Sequence, residues 1–342
     1  MGLSNTIQKI TQLTLFLLFT SLTTCLCQNN GNEEVVSEVF DLFAKNKYAD
    51  ALKLCDERLT NDEGDVIYHF FKAEAYHNLN DEKSSDKEMA YVYNFKPDTA
   101  RDYSELSQIA LIYGDLKGAY SHIVSALKLS NPNVVDEQAA LLVTQAALLK
   151  ELASLNNTSN YDTITTVYEK ALASKKTVSQ GKTIYALKGS FERLCGNVDA
   201  SIATFKASTV EYTDFALGYM NLGFMLSERG DYKEALLVSN EIINRVNKGT
   251  SNAIDRDFVG NVVSSQEDVD NILPFIYNNR GYAKYKLNDL EGAMTDVDYA
   301  ILMLPENSYA HRNRALINIA TGNIKNACTD LQKAIDLGFL KD

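Results

Sequence analysis

The skeleton of residues 278–301 returns 34 positions later. Asn279-Arg280 recurs as Asn313-Arg314, Thr295-Asp296 as Thr329-Asp330, and Ala300-Ile301 as Ala334-Ile335. A fixed period of this length restricts a chain to architectures that repeat one supersecondary unit, so it outranks any single motif. Walking the small residue at Ala293 in both directions gives Ala51, Ser85, Ala119, Ile164, Ser201, Ala235, Ala293 and Ala327. The steps are 34, 34, 45, 37, 34, 58 and 34, and the longer ones read as one period plus an insertion. The chain is eight copies of one unit.

Within each unit, apolar residues at spacings of three and four predict two amphipathic helices. Between them lies a stop-and-start signal. Gly114, Gly196, Gly230 and Gly322, or Asn46, Asn80 and Asn288, can take the left-handed conformation that ends a helix. The Asp or Asn that usually follows, such as Asp115, Asp231 or Asn323, can cap the next helix through a side-chain oxygen. Pro97, Pro132, Pro274 and Pro305 all fall between the units, where a missing N–H costs nothing. The small marker residues let the two helices of a hairpin approach closely, and Phe205, Ile123, Tyr168 and Leu331 are expected to fill the remaining space.

These features resemble the tetratricopeptide repeat family. Its pattern is visible as Tyr277, Gly281, Tyr285, Ala293, Val297, Ala300 and Pro305, and again as Tyr219, Leu222-Gly223, Gly230, Tyr232 and Ala235. The family's usual Trp is absent, with Tyr103, Tyr185, Tyr219 and Tyr277 in its register. The resemblance covers residues 32–342 and is weaker where Arg58, Ile164 and Ser201 replace small residues. It implies an all-α protein, an α-solenoid of about eight tetratricopeptide-type hairpins wound as a right-handed superhelix. The units run at about 32–65, 66–99, 100–133, 136–177, 182–213, 216–247, 274–307 and 308–341. An insertion at 248–273 either extends a helix or forms a loop. A shorter one at 156–160 carries two glycosylation sequons, Asn156-Asn157-Thr158 and Asn157-Thr158-Ser159.

Residues 1–27 differ from the rest. Lys9 precedes an apolar run from Ile10 to Leu22, small residues follow, and polar sequence begins at Gln28. That is the form of a signal peptide, so the protein is expected to be exported: periplasmic, in the outer envelope or secreted. Leu22-Thr23-Thr24-Cys25 resembles a bacterial lipoprotein box with Thr24 out of pattern, which makes Cys25 a candidate for lipidation. Contact with a membrane is expected only through such a lipid or an uncleaved signal. Cys55, Cys195 and Cys328 lie far apart in apolar helical positions and are expected as buried free thiols.

The chain carries a net charge of −12 without a basic stripe, which argues against nucleic acid as a partner. No nucleophile elbow, phosphate loop or His-Glu-x-x-His occurs. His69 and His311 share the aromatic register and are expected to pack, while His77 and His122 have no neighbour at ligand spacing. No cofactor, metal site or enzymatic activity is expected. In tetratricopeptide arrays the first helix of each hairpin lines a concave face where peptides dock. That register implies partner-binding positions at Phe40, Phe70, Glu74 and His77, then Gln108, Leu111, Arg193, Met220 and Phe224. The last two hairpins add Asn278, Tyr282, Tyr285, Arg312, Leu316 and Ile319. The family's Lys/Asn/Arg clamp for chaperone tails is missing, with only Asn278 and Arg312 as a fragment. The sequence therefore reads as an exported scaffold binding a segment of another protein. The alternative is a structural or oligomeric part of an envelope or secretion assembly, favoured by the absence of a polar helix after Leu337.

Overall fold

The computed structural model describes residues 32–131, 137–155, 160–247 and 266–339. These form sixteen helices and no strand among the described residues. They are α1 (Asn32–Ala44), α2 (Tyr48–Leu59), α3 (Val66–Asn78), α4 (Glu82–Asn94), α5 (Ala100–Ile112), α6 (Leu116–Leu129), α7 (Glu137–Leu155) and α8 (Tyr161–Ser174). Then come α9 (Val178–Leu194), α10 (Val198–Glu211), α11 (Ala216–Arg229), α12 (Tyr232–Asn247), α13 (Gln266–Lys286), α14 (Leu290–Met303), α15 (Ser308–Ala320) and α16 (Ile324–Asp336). Odd and even helices alternate as the two arms of successive hairpins. None of the described helices is long and apolar enough to cross a membrane.

The chain divides into two compact units, one up to Gly181 and the other from Lys182 onward. Within the first, α2 packs on α3, α3 on α5, and α6 on α7. Within the second, α10 packs on α11, α12 on α13 and α14 on α15, while the first helices α11, α13 and α15 also touch in sequence. Within each unit, neighbouring hairpins thus bury against one another what they cannot bury alone.

The turns follow from residue chemistry. Asn46, Asn80 and Asn288 have φ of 56°, 60° and 66°, and Gly230 reaches 97°. Asn tolerates this region better than other side chains, and Gly has no Cβ to clash there. Asp81, Asp115, Asn197 and Asp289 then cap the following helices by accepting from backbone N–H groups three residues on. Asn323 differs: its Nδ2 donates to Thr321 Oγ1 at 3.4 Å and its side chain does not cap α16.

At the marker positions the hairpin arms come close. A Cβ built on Gly281 would lie 2.7 Å from Val297 Cγ2 and 3.2 Å from the carbonyl of Ala293, so only Gly fits between α13 and α14. Where the marker is Ser, the hydroxyl bridges the arms instead: Ser85 donates to the carbonyl of Ala73 and Ser201 to that of Gly189, each at 2.9 Å.

Three expectations need correction. Pro274 lies inside α13, which begins at Gln266, so residues 266–273 of the insertion extend that helix, one of the two readings left open for them. The ring leaves the carbonyl four residues earlier without its helical donor, a local loss outweighed by the packing of Leu273 and Ile276 into the core. Leu331 is 37% exposed, whereas Phe205, Ile123 and Tyr168 are buried as their positions imply. Among the described thiols only Cys55 is buried; Cys195 sits in a turn and Cys328 on α16, both exposed. Residues 1–31, with Cys25, lie outside the described residues, as do 132–136, 156–159 and 248–265.

Candidate docking surface

The recurring residues of the last two hairpins have a structural role. Arg280 donates to both oxygens of Asp296, at 2.8 and 2.6 Å, and Lys284 joins at 2.8 Å. One period later Arg314 donates to Asp330 at 3.1, 3.0 and 2.6 Å, and Asn318 adds a bond at 3.1 Å. Both carboxylates are nearly fully buried. The cation stands 16 residues before its acid each time, one on each arm of the hairpin. The same interval joins Lys72 to Glu88 at 3.1 Å and Lys188 to the Thr204 hydroxyl at 3.1 Å. A buried pair of this kind fixes which residues face each other across the arms. These side chains hold the scaffold together and are consumed in doing so.

The positions implied for docking divide by burial. In the first unit Phe70, Gln108 and Leu111 are buried. Phe70 packs at 5.7 Å against both Phe71 and Tyr113, and Phe40 stands edge-on to Phe71 at 5.3 Å. Their helices contact neighbours on several sides, so what looked like a spare apolar face on α3 and α5 is core. Glu74 accepts from the Tyr113 hydroxyl at 3.3 Å, and exposed His77 pairs with Glu82 at 3.1 Å. His69 stacks on Tyr91 at 3.8 Å and meets Glu88 at 2.6 Å, the packing role its register implies.

In the second unit Asn278 is buried as well, but for a different purpose: its Oδ1 accepts from Asn313 Nδ2 at 2.8 Å. Asn313 Oδ1 in turn accepts from Arg312 Nη1 at 2.9 Å. Arg312 is half-buried, with its guanidinium 5.5 Å from the Tyr282 ring and 5.6 Å from the Phe339 ring. Tyr282 stands edge-on to Tyr232 at 6.2 Å and tilts toward Tyr285 at 6.3 Å. Lys286 lies 5.3 Å over Tyr232, and Tyr309 meets Phe339 edge-on at 5.3 Å. Nearer the start of this unit Arg193 covers the half-buried Phe224 at 4.6 Å and pairs with Glu228 at 3.5 Å. Met220 and Leu316 are half-buried, and Ile319 is 48% exposed.

Tyr282, Tyr285 and Arg312 are thus brought together with Tyr232, Lys286 and Phe339, which the inner-helix register does not contain. Tyr232 was visible as a family position. Phe339 lies beyond the last helix, where no periodicity reaches. Such a surface, aromatic and half-covered by cations, is rich in groups that dominate protein–protein recognition.

No protein-family model matches the chain, and no curated protein is significantly similar to it in sequence. Among solved structures, the C-terminal part of a TPR repeat-containing protein from Cytophaga hutchinsonii is similar with a TM-score of 0.51 at 12% identity, over 81% of this chain and 98% of that one. A tetratricopeptide repeat protein from Parabacteroides merdae has a TM-score of 0.47 at 16% identity, over 80% and 93%. The Cut9–Hcn1 hetero-tetramer of the APC/C gives 0.47 at 14%, over 91% of this chain and 54% of that one, so the chain spans about half its length. The Cytophaga likeness carries the fold: an α-solenoid of tetratricopeptide-like hairpins.

Proposed function

We propose that this protein is a non-enzymatic, exported scaffold that holds a segment of another protein against α11, α13 and α15, the inner side of its hairpins. The observation that supports it is the half-buried Tyr282, flanked by Tyr232, Tyr285 and Arg312. Aromatic and Arg side chains on paired helices are already ordered, so binding need not freeze the receptor. The non-enzymatic reading comes from a sequence without a nucleophile or metal-ligand motif, and the exported setting from residues 1–27. Replacing Tyr282, Tyr285 and Leu316 with Ser abolishes pull-down of the partner while leaving helical circular dichroism intact; unchanged pull-down refutes the site.

A second reading, a component of a larger assembly, is favoured by α16. Ile324, Leu331 and Ile335 are 57%, 37% and 42% exposed. Their counterparts one period earlier, Leu290, Val297 and Ile301, lie in the core that α14 forms with α15. Sedimentation separates the readings, because a monodisperse monomer at all concentrations contradicts self-assembly.

A further inference from the structure

We propose that the exposed apolar face of α16 is a self-association site: α16 of a second copy of this chain lies antiparallel on it, about a two-fold axis between Cys328 and Leu331. This rests on the assembly reading above and names the occupant and the sense of its packing.

Ile324, Cys328, Leu331 and Ile335 follow one another at intervals of four, three and four, which on a helix of 3.6 residues per turn makes one straight stripe. All four are exposed. One period earlier the same positions are Leu290, Met294, Val297 and Ile301, and all of them belong to the core that α14 shares with Ala310 and Ile317 of α15. In the repeat this face therefore receives another helix, laid side by side. The stripe is not the side that α16 turns to its own hairpin. That side is marked by buried Ala327, Asp330 and Ala334, with Asp330 bonded to Arg314.

Two features of α16 select its own copy. The intervals four, three and four read the same from either end, so an antiparallel copy meets every apolar residue with an apolar one. Ile324 faces the partner's Ile335, and Cys328 faces the partner's Leu331. The charges agree with this sense. Lys325 and Asp336 are exposed and about three turns apart, so they share one edge of the stripe. Among the described residues neither joins an ion pair, and Asp336 accepts from Gln332 Nε2 at 2.9 Å. At 1.5 Å per residue, the two-fold axis sets Lys325 within about 3 Å of the partner's Asp336 along the helix, on the same edge, and does so twice.

Three turns from each copy form a small interface, below about 1,200 Å². Both copies are also acidic, at −12, and repel one another in general, so association is reversible. A two-fold contact uses each stripe once and closes at two copies.

The test uses the whole chain. Sedimentation velocity across the micromolar range should show a monomer–dimer equilibrium and no larger species. Leu331→Lys should leave a monomer with unchanged helical circular dichroism. Lys325→Glu should weaken the dimer about tenfold, and adding Asp336→Lys should restore it. Each of these exchanges places a charge at the helix end that favours it, so folding is not what they impair. Iodoacetamide gives a second readout: labelling of Cys328 relative to Cys195 should slow as protein concentration rises. A monomer at every concentration overturns both this proposal and the self-assembly reading. A dimer that persists in Leu331→Lys, a double exchange that fails to rescue, larger open assemblies, or Cys328 labelling independent of concentration overturns the antiparallel pairing alone.

Discussion

Arg314→Met tests whether the bridge across a hairpin holds its arms in register. Asp330 is 4% exposed and receives three contacts of 3.1 Å or less from Arg314. Removing one member of a fully buried pair costs about 3–5 kcal/mol, because the charge left behind has lost both water and partner. Here the loss is smaller, since Asn318 keeps its bond at 3.1 Å and His311 Nδ1 stands 3.7 Å away. About 2–3 kcal/mol is expected, at or below the lower limit of that range. Replacing both partners, Arg314→Met with Asp330→Leu, leaves no orphaned charge and returns stability to within about 1 kcal/mol of the wild type. Because repeat arrays can unfold in parts, urea denaturation is paired with hydrogen exchange of α15 and α16 amides. If the double replacement is as damaging as the two singles added together, the pair is not a coupled bridge and the account of the recurrence is wrong.

Three further outcomes are expected. Burial, with the charge of Asp65 added to it, pushes the Glu105 carboxyl up to about 8. Because the folded value is raised, the linked stability is complete below the ordinary value of 4.5 and is lost as pH rises through about 8. Glu105→Gln removes that dependence and should be more stable above pH 8 by about 1–2 kcal/mol in urea melts; parallel curves for the two proteins contradict this. Burial, followed by the nearby Asp56, pushes the Cys55 thiol up to about 12, so iodoacetamide should label Cys195 and Cys328 in the native protein but reach Cys55 only after unfolding. Native labelling of Cys55 at the rate of the others refutes its burial. Protein recovered from its own cells should begin at Gln28 or carry lipid on Cys25, and an intact Met1 in the mass spectrum excludes both.

The hairpin turns were legible in the sequence because few residues tolerate positive φ, and Asn80, Gly230 and Asn288 could be marked on that ground alone. Pro274 misled for the opposite reason. Proline penalises a helix interior without forbidding it, and the apolar residues beside it are worth more buried than the lost bond. The cation–acid interval of 16 was present in plain view as Arg280/Asp296 and Arg314/Asp330, but its meaning depends on turn length, which converts a separation in sequence into a meeting across two arms. The proposed docking surface was half legible. Tyr282 and Arg312 follow from helix register, whereas Phe70 and Leu111 follow the same register and are buried, Phe70 against Phe71 and Tyr113. Periodicity identifies an apolar face and is silent on how many faces the neighbours cover.

Site-specific photo-crosslinking addresses the docking claim most directly. A benzoylphenylalanine placed at Tyr285, on the proposed surface, is compared with one at Leu302, which is 76% exposed on α14 and lies among Tyr277, Arg280 and Tyr299. The account predicts a covalent adduct with one partner protein from position 285 and none from position 302. An adduct from 302 with none from 285 contradicts it.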